Sequence, residues 1–128
     1  SGQEQHSSIM DKVAIEAYKT IPVVEFDGGA FHWNNSSTFK YVLMEIDDPS
    51  IDERKSRYLV RGLTWAEYHQ DCANPTIEEL EAAGLRWRIL GGGRIKYNAI
   101  DKSINIYGHR STAAAADVSE KDVFVVGR

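Results

Sequence analysis

Three stretches of this chain alternate their side chains between two faces with period two, which puts a β-sheet at the centre of the fold. Phe39 to Ile46 is rich in aromatic and branched residues. It puts Lys40, Val42, Met44 and Ile46 on one face, and Phe39, Tyr41, Leu43 and Glu45 on the other. Ser56 to Gly62 places Tyr58 and Val60 opposite Arg57, Leu59 and Arg61, and Leu85 to Leu90 turns Leu85, Trp87 and Ile89 inward. Shorter signals add a strand at Pro22 to Phe26 ended by Asp27-Gly28-Gly29, a hairpin of Arg94–Ala99 with Ser103–Tyr107, and a final strand at Val123 to Val126. Phe31 and Trp33 sit in an Asn- and Ser-rich connection, either closing over a ligand or covering an edge of the sheet.

Helical signals are fewer. Ile9 to Tyr18 has apolar residues at helical spacing, and Thr112 to Lys121 suggests a short helix. Thr64-x-x-Glu67 and Thr76-x-x-Glu79 are both capping-box patterns, and Asn74-Pro75 is a start signal of its own. They predict a turn over Ala66–Ala73 followed by a helix from Pro75 to Ala83, stopped by Gly84. The expected fold is therefore α+β: a single domain over residues 9–128 with a mixed sheet of roughly six strands and two flanking helices. Residues 1–8 are expected to be a small polar tail.

At 128 residues the chain can bury one sizeable core, and its formal net charge of −4 argues against a broad nucleic-acid surface. A local group of Lys40, Arg61 and Arg94 can still hold one phosphoryl group. Apolar runs are too short to span a bilayer, no signal peptide is legible, and the single Cys72 fits a reducing compartment. A cytoplasmic monomer with no membrane and no nucleic-acid partner is expected. The histidines do not pair at ligand spacing, so no metal or other cofactor is expected.

Candidate chemistry concentrates in Val60–Asp71 and in Leu90–Ile95. His69 falls near a helix start, where free N–H groups and the positive dipole end favour an anion. Gly91-Gly92-Gly93 reads as a break before Arg94, bringing backbone amides close to a ligand and offering a bidentate clamp. The glycine run lacks the Walker lysine and the Rossmann spacing. Cys72 lacks the glycine-rich turn and arginine of a thiol phosphatase, so it reads as a small buried residue.

The segments Phe39-Lys40-Tyr41-Val42-Leu43, Val60-Arg61-Gly62, Trp65-Ala66-Glu67-Tyr68-His69, Leu90-Gly91-Gly92-Gly93-Arg94-Ile95, Asp101-Lys102 and Ile106-Tyr107-Gly108 together resemble the protein histidine phosphatase, or janus/ocnus, family. The resemblance implies a mixed sheet flanked by two helices. It implies metal-independent hydrolysis of the P–N bond of phosphohistidine in proteins, with phospholysine and other phosphoramidates as further substrates. His69 matches the family's catalytic histidine, as general base or as transient nucleophile. Lys40 and Arg94 become partners of the phosphoryl oxygens, with Arg61 as a supporting charge. The backbone amides of Tyr68, His69 and Gln70 are expected to face the phosphate, which places the start of the helix proper at or after His69. The cradle would be completed by Arg110, Ser111 and Thr112. Read without a gap, Arg110 stands where the family has a serine, and a shift of one residue restores Ser111. A non-catalytic phosphate- or phosphopeptide-binding module of the same fold is the alternative.

Overall fold

The computed structural model describes residues 12–49 and 56–109. Helix α1 covers residues 12–20 and is followed by strand β1 (Val24–Phe26) and a 3₁₀ turn at Asp27–Gly29. Then come β2 (Ser37–Asp47), β3 (Ser56–Leu63), helix α2 (His69–Ala83), β4 (Trp87–Asn98) and β5 (Ser103–His109). The strands form one sheet in the order β1-β3-β2-β4-β5. β1 lies parallel to β3 and every other pair is antiparallel, so the α+β fold with a mixed sheet is as expected. The strand expected at Val123–Val126 and the helix expected over Thr112–Lys121 lie outside the described residues.

Period-two alternation sorts the apolar side chains into two cores, one on each face of the sheet. On one face Val42, Met44, Ile46, Leu59 and Leu63 pack against Cys72, Ala73, Leu80 and Ala83 of α2 and Ala14 of α1. Met44, Ile46 and Leu59 are fully buried, each contributing roughly 2 kcal/mol, so apolar burial holds the helices far more than any surface ion pair does. Phe26, Phe39, Leu43, Val60, Ile95, Tyr97 and Ile104 fill the opposite face. Phe31 and Trp33 close over that second core, edge to face at 4.6 Å, and the Tyr97 hydroxyl donates to the Trp33 carbonyl at 2.6 Å. The aromatic connection thus covers the sheet.

Three local expectations are corrected. Gly91, Gly92 and Gly93 do not break the chain: β4 runs unbroken through them, and Leu90 is the extra residue of a bulge opposite Leu43/Met44. Thr64 caps no helix, because its amide and hydroxyl both donate to the Asp27 carboxylate, at 2.7 and 2.8 Å. And α2 starts six residues before Pro75, which lies inside it. Its start is stabilised by Asp71, whose carboxylate accepts from the Glu67 and Tyr68 amides at 3.2 and 2.9 Å. Gly84 ends it in the left-handed conformation, as the sequence predicts.

Candidate active site

Residues directly opposed in an antiparallel pair point to the same face, so strand register places the charged side chains. Lys40 pairs with Leu63 on β3 and with Arg94 on β4, and Arg94 pairs in turn with Tyr107 on β5. This row belongs to the face that carries α2, since Val42 and Met44 alternate with Lys40 into the helix-side core. It lies beyond the helix start, where the face opens to solvent. Lys40 is half-buried and Arg94 exposed, and neither has a carboxylate partner among the described residues. A cleft of about 240 Å³ lies over them, lined by Thr38, Phe39, Lys40, Thr64, Ala66 and Arg94.

The next row on that face pairs Val42 with Gly92, about 7 Å along the strands from the cations. His69 stands over it as the first residue of α2. Its Nε2 lies 3.2 Å from the Gly93 carbonyl oxygen, and a Cβ at Gly92 would come within 3.2 Å of its ring. Gly92 therefore makes room for the imidazole. A carbonyl can only accept, so the contact requires a proton on Nε2 and leaves Nδ1 with the lone pair in the neutral ring. A second cleft, of about 260 Å³, adjoins the ring, lined by Val42, His69, Gln70, Ile89, Gly91 and Gly92.

The turn from Thr64 to Tyr68 swings the chain from β3 to α2, so helix proper begins at His69 as expected. The N–H groups of His69 and Gln70, first in the helix, have no partner within it. Tyr68 departs from expectation: its amide is bonded to Asp71, so that donor is occupied.

Arg61 is not brought to the cleft. It is 3% exposed on β3, and its guanidinium donates to the Thr76 hydroxyl at 2.8 Å and to the carbonyls of Pro22, Val23 and Val60 at 2.8, 3.3 and 3.0 Å. Burial pushes its pKa down, opposed by the nearby carboxylates of Glu25 and Glu79. It pins β3 to α2 and to the segment before β1. Arg110, Ser111 and Thr112 fall outside the described residues. Gly92, and the Gly93 carbonyl that orients His69, were missed in the sequence. The only available signal was that a glycine run can continue a strand where another group must approach closely.

The structure thus defines an α+β protein in which Lys40 and Arg94, without a carboxylate partner among the described residues, lie one row from an imidazole at a helix start. The sequence comparisons identify the line of descent. The Janus/Ocnus family profile matches residues 19–125, and the chain belongs to that family. It is 36% identical over 92 residues to the 14 kDa phosphohistidine phosphatase of Sus scrofa, covering 70% of this chain and 68% of that protein. Against the 14 kDa phosphohistidine phosphatase of Homo sapiens it is 32% identical over 100 residues, 76% and 74% of the two chains. The sex-regulated protein janus-A of Drosophila pseudoobscura pseudoobscura is 29% identical over 114 residues, 88% and 72% of the two.

Proposed function

We propose that this chain is a protein phosphohistidine phosphatase that hydrolyses the P–N bond without a metal ion. The observation that carries the reading is the direct pairing of Lys40 with Arg94, one row away from the His69 imidazole on the same open face. A phosphoryl group leaving nitrogen passes through a loose transition state with charge spread over three oxygens. Two side-chain cations and the free amides of His69 and Gln70 stabilise that charge. With Nε2 held by Gly93, Nδ1 of His69 takes the proton of the attacking water. The water oxygen bonds to phosphorus, the P–N bond breaks, and the departing imidazole nitrogen takes a proton from solvent while His69 returns its own to solvent, giving inorganic phosphate and free histidine. Phospholysine and other phosphoramidates present the same phosphoryl group to the same donors. Arg110, Ser111 and Thr112 follow β5 directly in sequence and are assigned to close the cradle. The single Cys72 is consistent with a reducing compartment, and the cytoplasm is the proposed location.

His69→Ala tests the reading. Hydrolysis of a phosphohistidine peptide is expected to drop by at least about 10²-fold, the usual effect of losing a general acid–base group. A rate equal to the parent's would overturn it. Radiolabelled phosphate trapped on the His69 ring during turnover would assign the histidine as nucleophile instead of base.

A binding module is the second reading. It is favoured by the janus-A relatives, whose names describe sex-regulated proteins and no phosphatase. Phosphate titration followed by histidine NMR, run beside a turnover assay, separates the two: binding without hydrolysis selects the module.

A further inference from the structure

Beyond the Lys40–Arg94 row, the same face continues into a third row that the proposed chemistry does not use. Thr38 pairs with Lys96, and Lys96 pairs with Asn105. Their neighbours Ile95, Tyr97, Ile104 and Ile106 all turn into the opposite core, so alternation puts Arg94, Lys96, Asn105 and Tyr107 on the cleft side. Thr38, Arg94, Lys96, Asn105 and Tyr107 are all exposed. The chain has 19 acidic against 15 basic side chains, yet these two rows contain three cations and no carboxylate. Two nearby acids are engaged elsewhere, Asp27 by Thr64 and Asp71 by the amides of Glu67 and Tyr68. Lys96 has no ion-pair partner among the described residues.

We infer that Lys96 selects polypeptide substrates carrying an acidic residue two positions from the phosphorylated one. The inference rests on the phosphatase reading of the site and adds to it the sequence context of the substrate. Its geometry is a matter of matched repeats. Arg94 and Lys96 are two residues apart on β4, about 7 Å, and side chains two apart on an extended peptide have the same spacing. A phosphoryl group held by Lys40 and Arg94 then puts the carboxylate of the residue two positions away over Lys96. Tyr107, 55% exposed at the outer end of the first row, gives the peptide an amphipathic surface to lie on. An acidic side chain is selected because the two rows carry no carboxylate to repel it and a lysine without an ion-pair partner among the described residues.

The test uses phosphohistidine peptides identical except for Glu, Ala or Lys at both positions two residues from the phosphohistidine, with phosphoramidate as a substrate lacking any flanking chain. In the parent, kcat/KM for the Glu peptide should exceed that for the Ala peptide about fivefold, as one exposed charge pair allows. Lys96→Ala should abolish the difference, and Lys96→Glu should reverse it in favour of the Lys peptide. Phosphoramidate turnover should stay at the parent rate in both variants. An unchanged Glu-over-Lys preference in Lys96→Glu overturns the inference. If no peptide is hydrolysed, the phosphatase reading fails by itself. The same peptides made with a non-hydrolysable phosphonate in place of the phosphohistidine then report the preference through their Kd in fluorescence anisotropy. There too, loss of the Glu preference in Lys96→Ala supports the inference, and its persistence overturns it.

Discussion

Lys40 of β2 and Arg94 of β4 are direct partners across an antiparallel pair, two cations side by side with no carboxylate between them among the described residues. Like charges directly opposed destabilise a sheet, so the pairing makes sense where an anion completes it. Lys40→Met is therefore predicted to act in opposite directions on stability and function. Unfolding in urea should show a gain of about 0.5 kcal/mol from relief of the repulsion. Turnover of phosphohistidine should drop about 10²-fold with the loss of one transition-state cation. Inorganic phosphate should raise the Tm of the parent more than that of the variant. Equal loss of stability and activity would count against the pairing as a phosphate site.

Gly92 is the point at which the sheet makes way for the His69 ring. A Cβ there would come within 2.5 Å of the Tyr41 carbonyl oxygen and 3.2 Å of the His69 ring. Gly62→Ala is its control, because that Cβ would strike the rings of Phe39 and Phe26, at 2.7 and 2.9 Å, in the opposite core. Each substitution should cost about 1–3 kcal/mol in denaturant unfolding through overpacking. Only Gly92→Ala should lower kcat of the folded protein, by about tenfold or more, because it alone displaces the imidazole.

Much of this architecture is legible in the residues themselves. Alternation in Phe39–Ile46 and Ser56–Gly62 sorts both faces correctly, and the β4–β5 hairpin forms around the predicted turn, with Asn98 opposite Ser103. What local pattern could not supply was partnership at a distance. Thr64 reads as a cap, but its hydroxyl binds Asp27, 37 residues earlier. Thr76 reads as a helix start, yet it lies with Pro75 inside α2, and its hydroxyl accepts from Arg61, 15 residues away. The triple glycine reads as a break because it has no side chains to show a period. In the sheet those missing side chains admit His69 on one side and the β5 backbone on the other. The Lys40–Arg94 pairing joins residues 54 positions apart, and only register reveals it.

Arg61 is predicted to be a stability residue. Its removal leaves the Thr76 hydroxyl and three carbonyls without their buried donor. Arg61→Ala should lower unfolding free energy by about 3 kcal/mol, and Thr76→Val by about 2 kcal/mol for stranding one guanidinium N–H. In both variants kcat of the protein that remains folded should stay within about threefold of the parent, as for a mutation outside the reacting groups. A large loss of kcat at unchanged stability would return Arg61 to the site.

Cys72 lies three residues after His69, but its thiol is buried under β2 and donates to the Lys40 carbonyl at 3.3 Å. Burial is the largest influence on it and pushes its pKa up, so at neutral pH it is a protonated packing residue. Iodoacetamide should label the native protein far more slowly than the unfolded chain, and Cys72→Ala should retain turnover. The pH dependence has a definite sign. An unfolded thiol ionises near pH 8.5 while the folded one holds its proton longer, so the thiol's contribution to stability is complete below about pH 8.5. It is lost as pH rises from there through the folded pKa. Denaturant unfolding measured between neutral and alkaline pH should therefore fall less steeply for Cys72→Ala than for the parent. A parallel decline would mean that the thiol is as easily ionised in the fold as outside it, and the nucleophile question would reopen.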